Sequence, residues 1–95
     1  MAEHPFKLRG NKMKYSEVKK IQTREDFISF LRVLKKDYTE NLSSWENRDI
    51  ETFLGAMASW VEDMDGFYMN QSLPIPENPD WKVFADILMG GKLYE

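Results

Sequence analysis

The stretch from Asn47 to Gly66 constrains this chain more than any other, because it reads as one amphipathic helix. Asn47 suits the N-cap, Asp49 and Glu51 suit a first turn whose free N–H groups favour acids, and Gly66 suits the close. Between those ends Ile50, Phe53, Leu54, Met57, Val61 and Met64 recur at three- and four-residue spacing. That is a broad apolar stripe, and another element has to cover it. A helix of this kind demands a packed fold but carries no chemistry.

Two further helices follow from the same reasoning. Thr23-Arg24-Glu25-Asp26 has the form of a capping box, and behind it Phe27, Phe30, Leu31, Leu34 and Tyr38 share one face, widened by Ile28 and Val33. A short connection, Asn41 to Glu46 with Trp45, leads to the central helix, and two helices so joined are expected to pack as an antiparallel hairpin. Phe67 to Asn78, with Pro74 and Pro76, reads as a loop. Asn78-Pro79-Asp80 then starts a third helix with Trp81, Phe84, Ala85 and Leu88 on its apolar stripe, and Gly90-Gly91 is expected to end it.

The N-terminal part is less regular. Residues 1–14 contain Pro5 and Gly10 and show no periodicity, which reads as a loosely docked arm. Tyr15, Val18 and Ile21 lie three apart and fit either a helical turn or an extended lead-in; the stop signal at Thr23 favours the extended form. The expected architecture is all-α: a compact three-helix domain over residues 21–95, with or without a short extra N-terminal turn, preceded by a basic arm and lead-in over residues 1–20.

A chain of 95 residues is one small domain, and its six Phe, three Trp, four Tyr and six Met supply enough bulk for a single core. With no cysteine, disulfides and thiol chemistry are excluded. No apolar run follows the N-terminus and none approaches a membrane span, so a cytoplasmic protein without a membrane partner is expected. Charge is divided unevenly. Residues 1–24 carry +5, from seven basic groups against Glu3 and Glu17, while residues 25–95 carry −8, giving the −3 of the whole chain. A basic arm on an acidic body points to a charged partner.

Few residues could support catalysis. His4 is the single histidine, and without cysteine a zinc site would need several carboxylates. The same scarcity removes Ser-His-Asp and Cys-His constellations, so the chain is expected to be no enzyme and to hold no metal or cofactor. Asp63-Met64-Asp65-Gly66 resembles part of a calcium loop, but the register fails: Val61 falls on the first acidic position and Ser72 on the bidentate glutamate. Lys7, Arg9, Lys12 and Lys14 could meet phosphates, yet the acidic body would repel a nucleic-acid backbone, so nucleic acid is not the expected partner.

Attention therefore falls on bulky apolar groups. Trp81 opens an apolar stripe and is expected in the core, Trp45 is placed to staple the helix start, and Trp60 flanks the main stripe at the core edge or partly exposed. Phe67, Tyr68, Met69, Leu73 and Ile75 fall in the expected loop, which either closes as a lid or presents an apolar patch rimmed by Glu62, Asp63, Asp65, Glu77 and Asp80.

The order Trp45-x-Asn47, Phe53-Leu54-x-x-Met57-x-x-Trp60, a proline-bearing loop, Trp81-x-x-Phe84-Ala85-x-x-Leu88 and Tyr94-Glu95 resembles a family of small bacterial proteins of unknown function, over about residues 21–95. Small acidic domains of this sort are also similar to immunity proteins, which protect a bacterium by binding a co-produced toxin. That analogy implies a protein-binding role, with Glu62, Asp63, Asp65 and Glu77 as acidic contacts to a basic toxin domain and Trp60, Phe67 and Tyr68 as apolar anchors. The alternatives are an adaptor or regulatory subunit using the same surface, or weak nucleic-acid binding through the N-terminal arm. Either a monomer or a homodimer is compatible with a three-helix unit.

Overall fold

The computed structural model of the chain describes Val18 and residues 20–95. The expectations for His4 and for the basic groups of residues 1–17 lie outside the described residues. The chain folds as an all-α, three-helix domain: α1 spans Arg24–Glu40, a single 3-10 turn covers Leu42–Ser44, α2 spans Ile50–Asn70 and α3 spans Trp81–Leu93.

Each start is fixed by a side chain that satisfies N–H groups left free by the first turn. Thr23 caps α1 as expected: its Oγ1 accepts from Asp26 N at 3.1 Å, and Asp26 Oδ2 accepts from Thr23 N at 3.2 Å. Before it, Ile21 N donates to Val18 O at 3.1 Å, and Val18 itself is helical, so the lead-in is a turn at this point rather than extended chain. Val18 is fully buried, so the packed core begins ahead of the boundary expected at residue 21. The cap of α2 is Asp49, whose Oδ1 accepts from Thr52 N at 2.9 Å, and not Asn47. Asp80, rather than Asn78, caps α3 through Val83 N at 2.9 Å.

The glycines behave differently from expectation. Gly66 does not close α2, which continues for another turn. Phe67 and Tyr68 follow Trp60 and Met64 at helical spacing, and burying a large aromatic (roughly 1.5–3 kcal/mol) outweighs an interior glycine (about 1 kcal/mol). The helix ends instead in a Schellman motif: Leu73 N donates to Tyr68 O at 2.9 Å and Ser72 N to Met69 O at 3.0 Å, with Ser72 at φ 56° in the left-handed region. Gly90 and Gly91 do not end α3 either. They lie buried inside it, because a Cβ on Gly90 would stand 2.4 Å from Trp60 Cγ and one on Gly91 would stand 2.7 Å from Met57 Cγ.

The expected α1–α2 hairpin is not the organising contact. α3 packs along α2 and also against α1, so the last helix joins the other two. Phe30, Leu34, Trp45, Ala85 and Met89 form the core together with Val18 and Ile21, with Phe27, Val33, Phe53, Leu88 and Leu93 packed on it. Trp81, expected inside, is 37 % exposed; its ring leans on Phe27 at 5.4 Å between centroids instead of entering the core.

The connection before α2 is tied to the end of α3. Asn47 Nδ2 donates to Gly91 O at 3.0 Å and to Tyr94 O at 2.6 Å, and Glu46 N donates to Lys92 O at 3.0 Å. This is why Asn47 is unavailable as a helix cap.

Candidate functional site

The two faces of α2 differ in chemistry. Its inner face, with Ala56, Trp60 and Tyr68 buried, packs on α3. Its outer face exposes Ile50, Leu54, Val61 and Met69, at 70, 55, 42 and 65 % respectively. Half the apolar stripe seen in the sequence is therefore uncovered: the packed seam is offset and centred on buried Trp60, with Phe53, Met57, Met64 and Phe67 half-buried along it. Glu51, Glu62, Asp63 and Asp65 are exposed on the same helix, and Ile50–Asn70 contains no lysine or arginine. At 1.5 Å per residue, this acidic and apolar ridge is about 32 Å long.

Of the seven residues singled out as partner contacts, Glu62, Asp63, Asp65 and Glu77 are exposed and Phe67 is half-buried. Trp60 and Tyr68 are 3 and 2 % exposed, so they are core residues and not surface anchors. Phe67, Tyr68 and Met69 belong to α2; the expected loop is shortened at its start to Gln71. Glu77 lies in the connection to α3, off the ridge.

Three of the seven meet in one place. A groove of about 390 Å³ between the C-terminal ends of α2 and α3 is lined by Trp60, Asp63 and Phe67, together with Gly66, Asn70, Leu93 and Tyr94. The Trp60 and Phe67 rings stand 5.2 Å apart at 61°. The Tyr94 hydroxyl donates to Asp63 Oδ2, and this bond raises the Tyr94 phenol above its ordinary value of 10.0, with desolvation and the carboxylate charge acting in the same direction. Tyr94 had no assigned role in the sequence because the contact spans 31 residues.

A second hollow of about 280 Å³ lies at the start of α2, lined by Tyr38, Trp45, Arg48, Ile50 and Phe53 among others. Tyr38 OH donates to Arg48 O at 2.5 Å and closes one side. At the other end of α3, Trp81 and Phe84 are exposed beside Phe27, forming an aromatic cluster remote from the acidic groove.

Two buried polar nodes were not anticipated. Lys92 Nζ donates to Asp37 Oδ2 at 2.7 Å, which also accepts from Trp45 Nε1 at 2.9 Å, while Asn41 Nδ2 reaches Asp37 Oδ1 at 3.2 Å. The second is Asp86, 2 % exposed, whose Oδ2 accepts from Tyr68 OH at 2.5 Å and Lys82 Nζ at 2.9 Å. The available signal was placement: Asp37 falls on the apolar face of Phe30 and Leu34, and Asp86 lies beside Ala85 on α3. Both acids are held by donors within the fold, which suits structural duty.

Among the described residues, no three His, Cys, Asp or Glu side chains converge to hold a metal ion. No helix among them is long and apolar enough to cross a membrane. No curated protein matches the chain, and no solved structure does. The DUF7660 family model, described as a family of unknown function, matches residues 23–95; this span is the whole three-helix unit from the Thr23 cap onward, and the chain belongs to that family.

Proposed function

We propose that this chain is a non-catalytic protein-binding domain and, in its most concrete form, an immunity protein that neutralises a basic toxin domain in the cytoplasm. The observation that carries the reading is the outer face of α2: exposed Glu51, Glu62 and Asp65, no lysine or arginine, and four exposed large apolar side chains on one rigid helix. Apolar contacts supply affinity, and the acidic charge steers a basic partner and rejects others. Neutralising a toxin calls for nanomolar binding or tighter, about −12 kcal/mol, which a standard interface of roughly 1,600 Å² can provide. A ridge of this length suits one side of such an interface.

The test is protection. The chain is co-expressed with candidate toxin domains encoded beside its gene, and growth is followed alongside the affinity of the purified pair. Reversing Glu62 and Asp65 to lysine should weaken binding by about 100-fold or more and abolish protection, since each desolvated charge contact contributes roughly 1.5–3 kcal/mol. Protection that is absent for every neighbouring toxin, or binding indifferent to the reversal, would refute the reading.

A further inference from the structure

We propose that the groove between the C-terminal ends of α2 and α3 receives one cationic side chain of the protein partner, specifically an arginine guanidinium. This deepens the protein-binding reading and rests on it.

Four observations converge. First, the groove combines a carboxylate with aromatic walls: Asp63 lies beside the half-buried Phe67 and Tyr94, with the buried Trp60 beneath them. A cation beside aromatic faces is attracted by their quadrupoles, and a planar guanidinium can stack on a ring and pair with a carboxylate at once, which an ammonium cannot. Second, Asp63 retains capacity. Its one bond from Tyr94 OH leaves most of the roughly four lone-pair positions of a carboxylate, enough for a two-pronged guanidinium contact.

Third, the cavity has the right size and an unobstructed side. About 390 Å³ leaves ample room for one long side chain. Gly66 lines it, and a Cβ there would meet nothing within 4 Å, so packing does not require this glycine. An interior helix glycine costs about 1 kcal/mol against alanine, and here its lack of a side chain keeps the groove wide. Fourth, the surrounding charge is of one sign. Glu62 and Asp65 flank Asp63 on a helix without basic residues, and nearby Lys92 is wholly buried on Asp37.

The experiment is an NMR titration of the full chain with a blocked pentapeptide carrying one arginine between glycines. A second peptide replaces the arginine by citrulline, which keeps its shape and loses its charge. The expected result is millimolar binding of the arginine peptide, with shifts centred on the Asp63 and Gly66 amides and the Phe67 and Tyr94 rings. Citrulline should bind at least about tenfold more weakly, as should the arginine peptide to Asp63→Asn and to Gly66→Leu, a loss of about 1.4 kcal/mol each. Glu25→Gln, exposed on α1, should leave binding unchanged. Asp63 is exposed and Gly66 faces open space, so both variants retain the fold, which circular dichroism verifies. Equal binding of citrulline, shifts centred elsewhere, indifference to both variants, or no response at millimolar peptide would each overturn the proposal. A negative result here together with protection lost on reversing Glu62 and Asp65 would remove the groove and leave the protein-binding reading standing.

Discussion

Lys92 Nζ stands 2.7 Å from Asp37 Oδ2, and neither side chain has any exposed surface. The pair joins the end of α3 to the end of α1 across 55 residues, and the Trp45 indole shares the same carboxylate oxygen. Removing one ion leaves the other charged and stranded in the core, which typically costs 3–5 kcal/mol.

Lys92→Met is therefore expected to destabilise the domain by about 3–5 kcal/mol in denaturant titrations. Adding Asp37→Asn removes the stranded charge while keeping an acceptor for Trp45. The double variant should recover at least about 1 kcal/mol relative to Lys92→Met, so that the cycle is strongly non-additive. Simple addition of the two single effects would show that the pair is uncoupled.

Two glycines on facing helices should respond oppositely to alanine. At Gly90 the added Cβ would fall within 3 Å of the Trp60 ring and its Cβ, so the helices must part; a loss of about 1–3 kcal/mol is expected. At Gly66 the Cβ enters open space on a helix, and a gain of about 0.5–1 kcal/mol should follow. Thermal melts of the two variants read both signs, and a stabilised Gly90→Ala would contradict the packing described.

Ser72 holds the left-handed position of a Schellman motif, at φ 56°, where glycine is the common occupant. Ser72→Gly should stabilise by up to about 1 kcal/mol, the relief of left-handed strain exceeding the added entropy of the unfolded chain. Ser72→Val, with a β-branched side chain at that angle, should destabilise. If both variants match the parent in denaturant midpoint, the turn does not limit stability.

Tyr94 titrates above 10.0 because its proton is held by Asp63. In the window between the unfolded value and this higher folded value, the unfolded chain loses its phenol proton first. The contribution is thus fully present below about pH 10 and is lost as pH rises through the folded value. A spectrophotometric phenolate titration should show a component above the normal range that Asp63→Asn brings back down. An unchanged titration in Asp63→Asn would place the cause elsewhere.

Much of the fold was legible because its signals are local. The Thr23–Asp26 capping box, the stripe of Phe30 and Leu34, and the start of α3 near Asp80 each depend on residues within one or two turns. Glycine was misread because its meaning here is tertiary: Gly90 and Gly91 answer to the bulk of Trp60, Phe53 and Met57 on another helix. Tyr68 passed from an expected loop into the core for a similar reason, since the α2–α3 interface that buries it exists only once the chain has folded. Asn47 looked like a cap in isolation, but its partners are carbonyls more than 40 residues away. The acidic half of the candidate site, Glu62, Asp63 and Asp65, could be read from charge alone. Its tyrosine could not, because nothing near Tyr94 in sequence points to Asp63.

The close seating of Trp60 over Gly90 also bears on how such a domain can diversify. Steric demand is concentrated on the side of α2 that faces α3, where a side chain added at Gly90 or Gly91 would pry the helices apart. The opposite side carries none of that demand. Substitutions there leave the scaffold beneath the same, so the proposed contact face and foldedness are free to change independently.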